Sequence, residues 1–155
     1  MSVDCVLDSN VLLYAASKDP ADRAKAETAL GLLGATNFGV PLQVVQEFFH
    51  NARVKARLAI EADHCDRLVQ ALLQRPVAVT DVALFERARR LCRRYQLRYW
   101  DAAVLAATLK LGANTLYSED LSHGQTYDGV RVVNPFLKAG PAGKSGANNS
   151  SSRGR

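Results

Sequence analysis

Residues 3–7 form a short apolar run that ends at Asp8, the pattern of a buried parallel strand with a carboxylate at its carboxyl end. A strand buried on both faces needs helices packed on each side. The chain supplies them. Residues 10–16 read as a helix, and Asp19-Pro20 gives an N-cap and first-turn proline for a second that runs through Leu33. Residues 34–39 read as a break. Pro41 then opens a third helix with the apolar stripe Val44, Val45, Phe48, Phe49 and Ala52, and residues 61–73 form a fourth. Residues 76–79 are a second strand candidate. Thr80-Asp81 caps a helix whose inner face is Leu84, Ala88, Leu91 and Tyr95, and a further helix spans about 99–111, with Gly112 as its C-cap. Strands are expected at 115–117 and 130–133, separated by the polar loop 118–129. Strands alternating with helices predict a three-layer α/β/α domain around a central parallel sheet.

At 155 residues the chain has the length of one domain, and 48% hydrophobic with 23% charged residues excludes wholesale disorder. Asp4, Asp8, Lys18 and Asp19 interrupt the most apolar stretch, so neither a transmembrane helix nor a signal peptide is expected and the chain is placed in the cytoplasm. Cys5, Cys65 and Cys92 fall in no zinc-ligand spacing and read as reduced, small apolar residues. The net charge of +5 suggests an anionic partner, but Lys138, Lys144, Arg153 and Arg155 supply +4 of it. Those four lie in a Gly-, Ser- and Asn-rich segment, 138–155, that reads as a flexible basic tail beyond a folded domain of residues 1–137. Within the domain the excess is local: six arginines stand against the single acid Glu86 between positions 86 and 98.

In sheets of this kind the reactive crevice lies beyond the carboxyl ends of the strands. Asp8 and Asp120 follow strand candidates, Asp101 sits in the first turn of its helix, and Glu47 lies on the third helix. Each alone also reads as a structural acid: an N-cap, a turn former, a first-turn charge or an exposed helix residue. Together in apolar surroundings they suggest one cleft. Carboxylates about 6 Å apart repel by roughly 3 kcal/mol per pair at an effective dielectric of 20. No lysine or arginine in the linear motifs offsets this, so the cluster calls for divalent cations. Ligation by oxygen alone favours Mg²⁺ or Mn²⁺ over zinc and suits phosphoryl chemistry.

The motifs Val6-Leu7-Asp8-Ser9-Asn10-Val11-Leu12-Leu13-Tyr14-Ala15, Gln46-Glu47-Phe48, Tyr99-Trp100-Asp101-Ala102-Ala103, Ser118-Glu119-Asp120-Leu121 and Val133-Asn134-Pro135-Phe136 resemble those of PIN-domain nucleases. Among these the chain is most similar to the VapC-type toxins of bacterial toxin–antitoxin systems, over residues 3–137. The resemblance implies a Mg²⁺- or Mn²⁺-dependent endoribonuclease with Asp8, Glu47, Asp101 and Asp120 as catalytic and metal-binding acids. It also implies a homodimer inhibited by a small antitoxin protein that carries its own DNA-binding part. Ser9 stands where the family usually has threonine, with a hydroxyl able to orient Asp8 or a metal-bound water. Asn10 matches, and its amide can bridge acids. Many relatives have a second acid two positions after Asp120, where this chain has Ser122, so the number of metal ions stays open.

Other residues carry weaker signals. Glu47 and His50 have the spacing of a di-iron half-site but lack the second pair, and His50 reads as a partly buried helix residue. Tyr99 and Trp100 are able to stack on bases, yet beside Asp101 they read as packing that fixes the helix start. His123 reads as a solvated loop residue near Asp120. Arg87, Arg90 and Arg94 share one helical stripe that fits a phosphate backbone, a solvated face or an acidic antitoxin segment equally. An aspartyl-phosphate phosphatase would need an acid where Asn10 stands, and a receiver domain a lysine after a late strand. The alternative from another class is a catalytically silent PIN scaffold that binds RNA or protein.

Overall fold

The computed structural model describes residues 2–137; the expected tail, 138–155, lies outside the described residues. Six strands form one sheet in the order β3-β2-β1-β4-β6-β5. β1 (Cys5–Leu7), β2 (Phe38–Pro41), β3 (Val77–Ala78), β4 (Thr115–Tyr117) and β6 (Val130–Val133) are parallel, and β5 (Thr126–Tyr127) returns antiparallel along β6. Flanking it are α1 (Ser9–Ala16), α2 (Arg23–Ala35), α3 (Leu42–Val54), α4 (Ala62–Leu73), α5 (Val82–Tyr95) and α6 (Tyr99–Lys110). The three-layer arrangement and mostly parallel sheet agree with the alternation read from the sequence. Among the described residues, no helix is long and apolar enough to cross a membrane.

The strand order reverses between β1 and β4, and the crevice above such a reversal is where open α/β sheets bind ligands. Register sets Val6 beside Leu116 and Leu7 beside Tyr117. The next residues on each strand, Asp8 and Ser118, therefore emerge side by side, and the Asp8 amide donates to the Tyr117 carbonyl at 3.0 Å.

Two strands escape the sequence reading. The break expected at 34–39 is shorter, because β2 starts at Phe38 and ends on Pro41 before α3 begins at Leu42. Gly39 serves close approach rather than a turn: a Cβ there would lie 3.0 Å from Leu111 Cδ1 and 3.2 Å from the Pro76 carbonyl oxygen. β5 is hidden in the polar loop. It joins β6 through Asp128-Gly129, whose φ angles of 47° and 86° suit a two-residue hairpin turn.

The central helix is α6. Every residue from Ala102 to Thr108 is buried, so it reads as apolar on all sides, and it packs against α5 and across β2, β3, β4 and β6. Ala102, Ala103, Ala106 and Ala107 permit that close packing. The buried hydroxyl of α6, on Thr108, donates to the Val104 carbonyl at 2.8 Å. Ala106 has no exposed surface, so Ala106→Leu should overpack the interior and lower stability by about 1–3 kcal/mol. A urea melt checks this; an unchanged midpoint would show that α6 is not held as tightly as described.

Candidate active site

Asp8 ends β1 and caps α1, so the capping and functional readings of this residue coincide. Its Oδ1 accepts from the Ser9 amide at 2.8 Å, and its Oδ2 accepts from the Ser118 hydroxyl at 2.7 Å. Only 6% of the residue is exposed. Burial pushes the carboxyl up to about 6; the two hydrogen bonds oppose the shift, and the charges of Asp120 and Glu47 add to it.

The first turn of α1 ties two further acids to this point. The Ser9 hydroxyl donates to Glu47 Oε2 at 2.9 Å, and Gln43 Nε2 holds the other Glu47 oxygen at 3.1 Å. Asn10 Nδ2 donates to Asp120 Oδ2 at 3.1 Å, while its carbonyl oxygen accepts from the Glu119 amide at 3.3 Å. Ser9 thus orients Glu47 through its hydroxyl and Asp8 through its backbone. The fully buried Ser118 also accepts from the Asp120 amide at 3.2 Å, so one hydroxyl serves both strand-end acids.

Asp101 is held differently. Arg98 Nε donates to its Oδ2 at 3.2 Å, and the guanidinium pKa is raised by Asp101 first and by Asp120 further off. The expectation that no cation offsets the acids is therefore corrected: Arg98, three residues before Asp101, does so. Its side chain is open to solvent, and the pair is i,i+3 on the helix start.

A cleft of about 310 Å³ is lined by Ser9, Asn10, Glu47 and Asp120 and rimmed by Asn51, Lys55 and Arg57; of the four expected acids it takes in Glu47 and Asp120, while Asp8 and Asp101 do not line it. The rim was not read from the sequence. Arg57 is fixed by Asp19 at 2.8 Å and Asp22 at 2.9 Å, while Lys55 is exposed. Glu119 also lines the cleft, but it is engaged: Tyr14 donates to it at 2.9 Å and Lys25 at 2.8 Å. Arg87, Arg90 and Arg94 do not line the cleft, and Arg94 pairs with Asp128 at 3.0 Å. His50 is exposed rather than partly buried. His123 Nδ1 accepts from the Asn134 amide at 3.0 Å, tying its loop to the end of β6. Tyr99 is half-buried as packing requires, whereas Trp100 is 62% exposed.

The donors are carboxylate, hydroxyl and amide oxygens, which suit a hard divalent cation; burial is the main cause of the raised Asp8 pKa, and the charges of Asp120 and Glu47 add a smaller part that a cation would relieve. Among the described residues, no three acidic, histidine or cysteine side chains stand close enough to form a ready-made cation site. Both Asp8 oxygens and one Asp101 oxygen are already hydrogen-bonded, so ion binding would require exchange of these partners.

The Asp8 shift has a stability consequence of definite sign. Folded Asp8, at about 6 against 3.8 ordinarily, keeps a proton that the unfolded chain has released, so stability falls as pH rises through that window. The loss above it is about 3 kcal/mol from a shift of this size. Asp8→Asn should therefore raise the melting temperature in EDTA at pH 7.5, with the advantage fading toward pH 4. A variant less stable than the parent at pH 7.5 would contradict the strained-carboxylate description.

A PIN domain family model matches residues 5–128. No curated protein matches the chain in sequence. Among solved structures, the fold is similar to a toxin–antitoxin complex from Klebsiella pneumoniae, with TM-score 0.62 and 19% identity over 86% of this chain and 98% of that one. A VapC toxin from Mycobacterium tuberculosis described as cleaving the sarcin–ricin loop gives TM-score 0.56 and 20% identity, over 76% and 90% of the two chains. FitAcB from Neisseria gonorrhoeae gives 0.57 and 17%, over 84% and 97%. At these identities the likeness is one of fold. The family match covers most of the chain and spans the strand ends at which Asp8 and Ser118 meet, and the chain belongs to the PIN domain family.

Proposed function

We propose that this chain is a Mg²⁺- or Mn²⁺-dependent endoribonuclease and the toxin of a toxin–antitoxin pair. The observation that carries this reading is Asp8: a carboxylate buried at the sheet reversal, pushed up to about 6, and linked through Ser9, Asn10 and Ser118 to Glu47 and Asp120. Membership of the PIN family and likeness to toxin structures support it.

Asp8, Glu47, Asp101 and Asp120 would hold the metal, with Arg98 giving up Asp101 as it binds. A bound divalent ion would supply an activated water and neutralise the leaving oxygen. Ser9 and Asn10 keep Glu47 and Asp120 directed into the cleft, and Ser118 fixes Asp8. Lys55 at the rim contacts substrate phosphates, whereas Arg57 is held by Asp19 and Asp22; this role suits Lys55 better than Arg87, Arg90 and Arg94, which do not line the cleft. The antitoxin would seat an apolar segment in a separate groove of about 390 Å³ between α1, α2, α3 and α4, lined by Leu12, Leu30, Leu33, Phe48 and Leu68. The working form is a homodimer in the cytoplasm.

A catalytically silent scaffold is the second reading, favoured by the Arg98–Asp101 pair and the lack of a ready-made cation site among the described residues. Cleavage of single-stranded RNA separates the two. It should vanish in EDTA, return with Mg²⁺ or Mn²⁺, and be lost in Asp8→Asn. Changes to residues that merely support metal ligands cost about 10- to 100-fold, so Asp8→Asn should cost at least that. Cleavage that persists in EDTA would overturn the metal-dependent reading, and absence of cleavage under all conditions would favour the scaffold. Lys55→Gln should weaken RNA binding and reduce its salt dependence by about one unit of slope; an unchanged slope would remove Lys55 from the phosphate path.

A further inference from the structure

We infer that Trp100 is a stacking site for an unpaired base of the RNA substrate, set by the first turn of α6 beside Asp101. The inference rests on the ribonuclease reading and specifies how that site holds its substrate.

Trp100 is the chain's only tryptophan. Large aromatic side chains normally bury most of their surface, yet Trp100 is 62% exposed at the start of the most deeply buried helix in the fold. Its position is held from below. Tyr99 meets it edge-on at 4.9 Å and 70°, and Phe85 of α5 braces Tyr99 at 5.7 Å and 63°. The Tyr99 ring is not parallel to the indole, so it supports Trp100 without stacking face to face on it. Arginines stand near these aromatic side chains, each paired with an acid: Arg98 with Asp101 at 3.2 Å and Arg89 with Glu86 at 3.1 Å. Arg98 is two residues away and bonds Asp101 through Nε, and the Arg89 guanidinium lies 5.9 Å from the Phe85 ring centre. Aromatic faces interleaved with arginines fit a polyanion that carries planar bases.

The nearest competitor is a second copy of the chain covering Trp100, Phe85 and the exposed Val82. Charge argues against it. A two-fold contact sets the same surface against itself, and of the six arginines in residues 86–98, Arg89, Arg94 and Arg98 are paired with Glu86, Asp128 and Asp101 while Arg87, Arg90 and Arg93 form no ion pair among the described residues. A nucleic acid supplies anions for the three unpaired arginines, which would repel their own copies across a two-fold.

The lone tryptophan makes the test direct. The full chain in EDTA is titrated at low salt with single-stranded RNA octamers and with a ribose–phosphate octamer that lacks bases. RNA should quench Trp100 fluorescence saturably, and the baseless strand should bind more weakly without quenching. Trp100→Ala should raise the Kd for RNA by roughly 5- to 150-fold, as loss of a stacked base does, while Trp100→Phe restores most of the affinity. Equal affinity of Trp100→Ala and parent, with RNA still cleaved by both in Mg²⁺, would overturn the stacking site and leave the ribonuclease reading intact. Failure of the parent to bind or cleave RNA would overturn both. Fluorescence that changes with protein concentration alone, with no response to RNA, would assign the surface to a second copy.

Discussion

The site depends on one buried carboxylate. Asp8 lies between the Ser9 amide and the Ser118 hydroxyl where β1 and β4 end side by side, and its charge is costly there because burial outweighs both hydrogen bonds. Ser118 reaches on to the Asp120 amide, and Ser9 reaches Glu47. Parallel pairing of β1 with β4 thus converts strand register into the separation of acids, so the geometry of the cleft follows from the geometry of the sheet. An isolated buried carboxylate is a liability for folding. Placed at a sheet reversal beside two other acids, it is the sort of cost that functional sites retain.

The rest of the fold holds that arrangement still. α6, packed on all sides by virtue of its alanines, presents Asp101 from its first turn, and Arg98 neutralises that acid from just outside the helix. Glu119, next to Asp120, is withdrawn from the acidic set by Lys25 and Tyr14, and Lys25 lies 4.6 Å from the Tyr14 ring centre. Two acids adjacent in sequence therefore do different work: Glu119 braces α1 against α2 and the loop after β4, while Asp120 faces the cleft. Arg94 and Tyr95 similarly lock the β5–β6 hairpin through Asp128, at 3.0 and 2.8 Å. The basic stripe of α5 is thereby partly committed to structure.

Much of this was legible in the sequence, and the reasons for the exceptions are specific. β1 declared itself as an apolar run that ends at an acid, β4 as a short strand candidate before a polar loop, and α6 as a helix stopped by Gly112. β2 did not, because Gly39 and Pro41 are turn residues by composition; only the crowding around Gly39 shows why glycine is needed inside a strand. β5 was masked by short length and polar neighbours. Asp8, Glu47 and Asp120 could be singled out by their place after strands or on an apolar helix. Their partners could not all be: Arg98 and Asp101 are near in sequence, but which arginines of the 86–98 segment face acids depends on how α5 turns into α6. Lys55 and Arg57 line the cleft only because the chain after α3 bends back, a tertiary fact with no local signal. Ser118 was the missed residue with a readable sign, since it follows β4 as Asp8 follows β1.

The most direct test is the ionisation of Asp8 itself, followed by carboxyl ¹³C NMR with and without Mg²⁺ and assigned by its loss in Asp8→Asn. The expected result is titration near 6 in EDTA, moving well below the ordinary carboxylate value of 3.8 when Mg²⁺ is added. Titration at the ordinary value in EDTA, unmoved by Mg²⁺, would show that Asp8 is neither strained by burial nor relieved by a cation, and the proposed centre would fail with it.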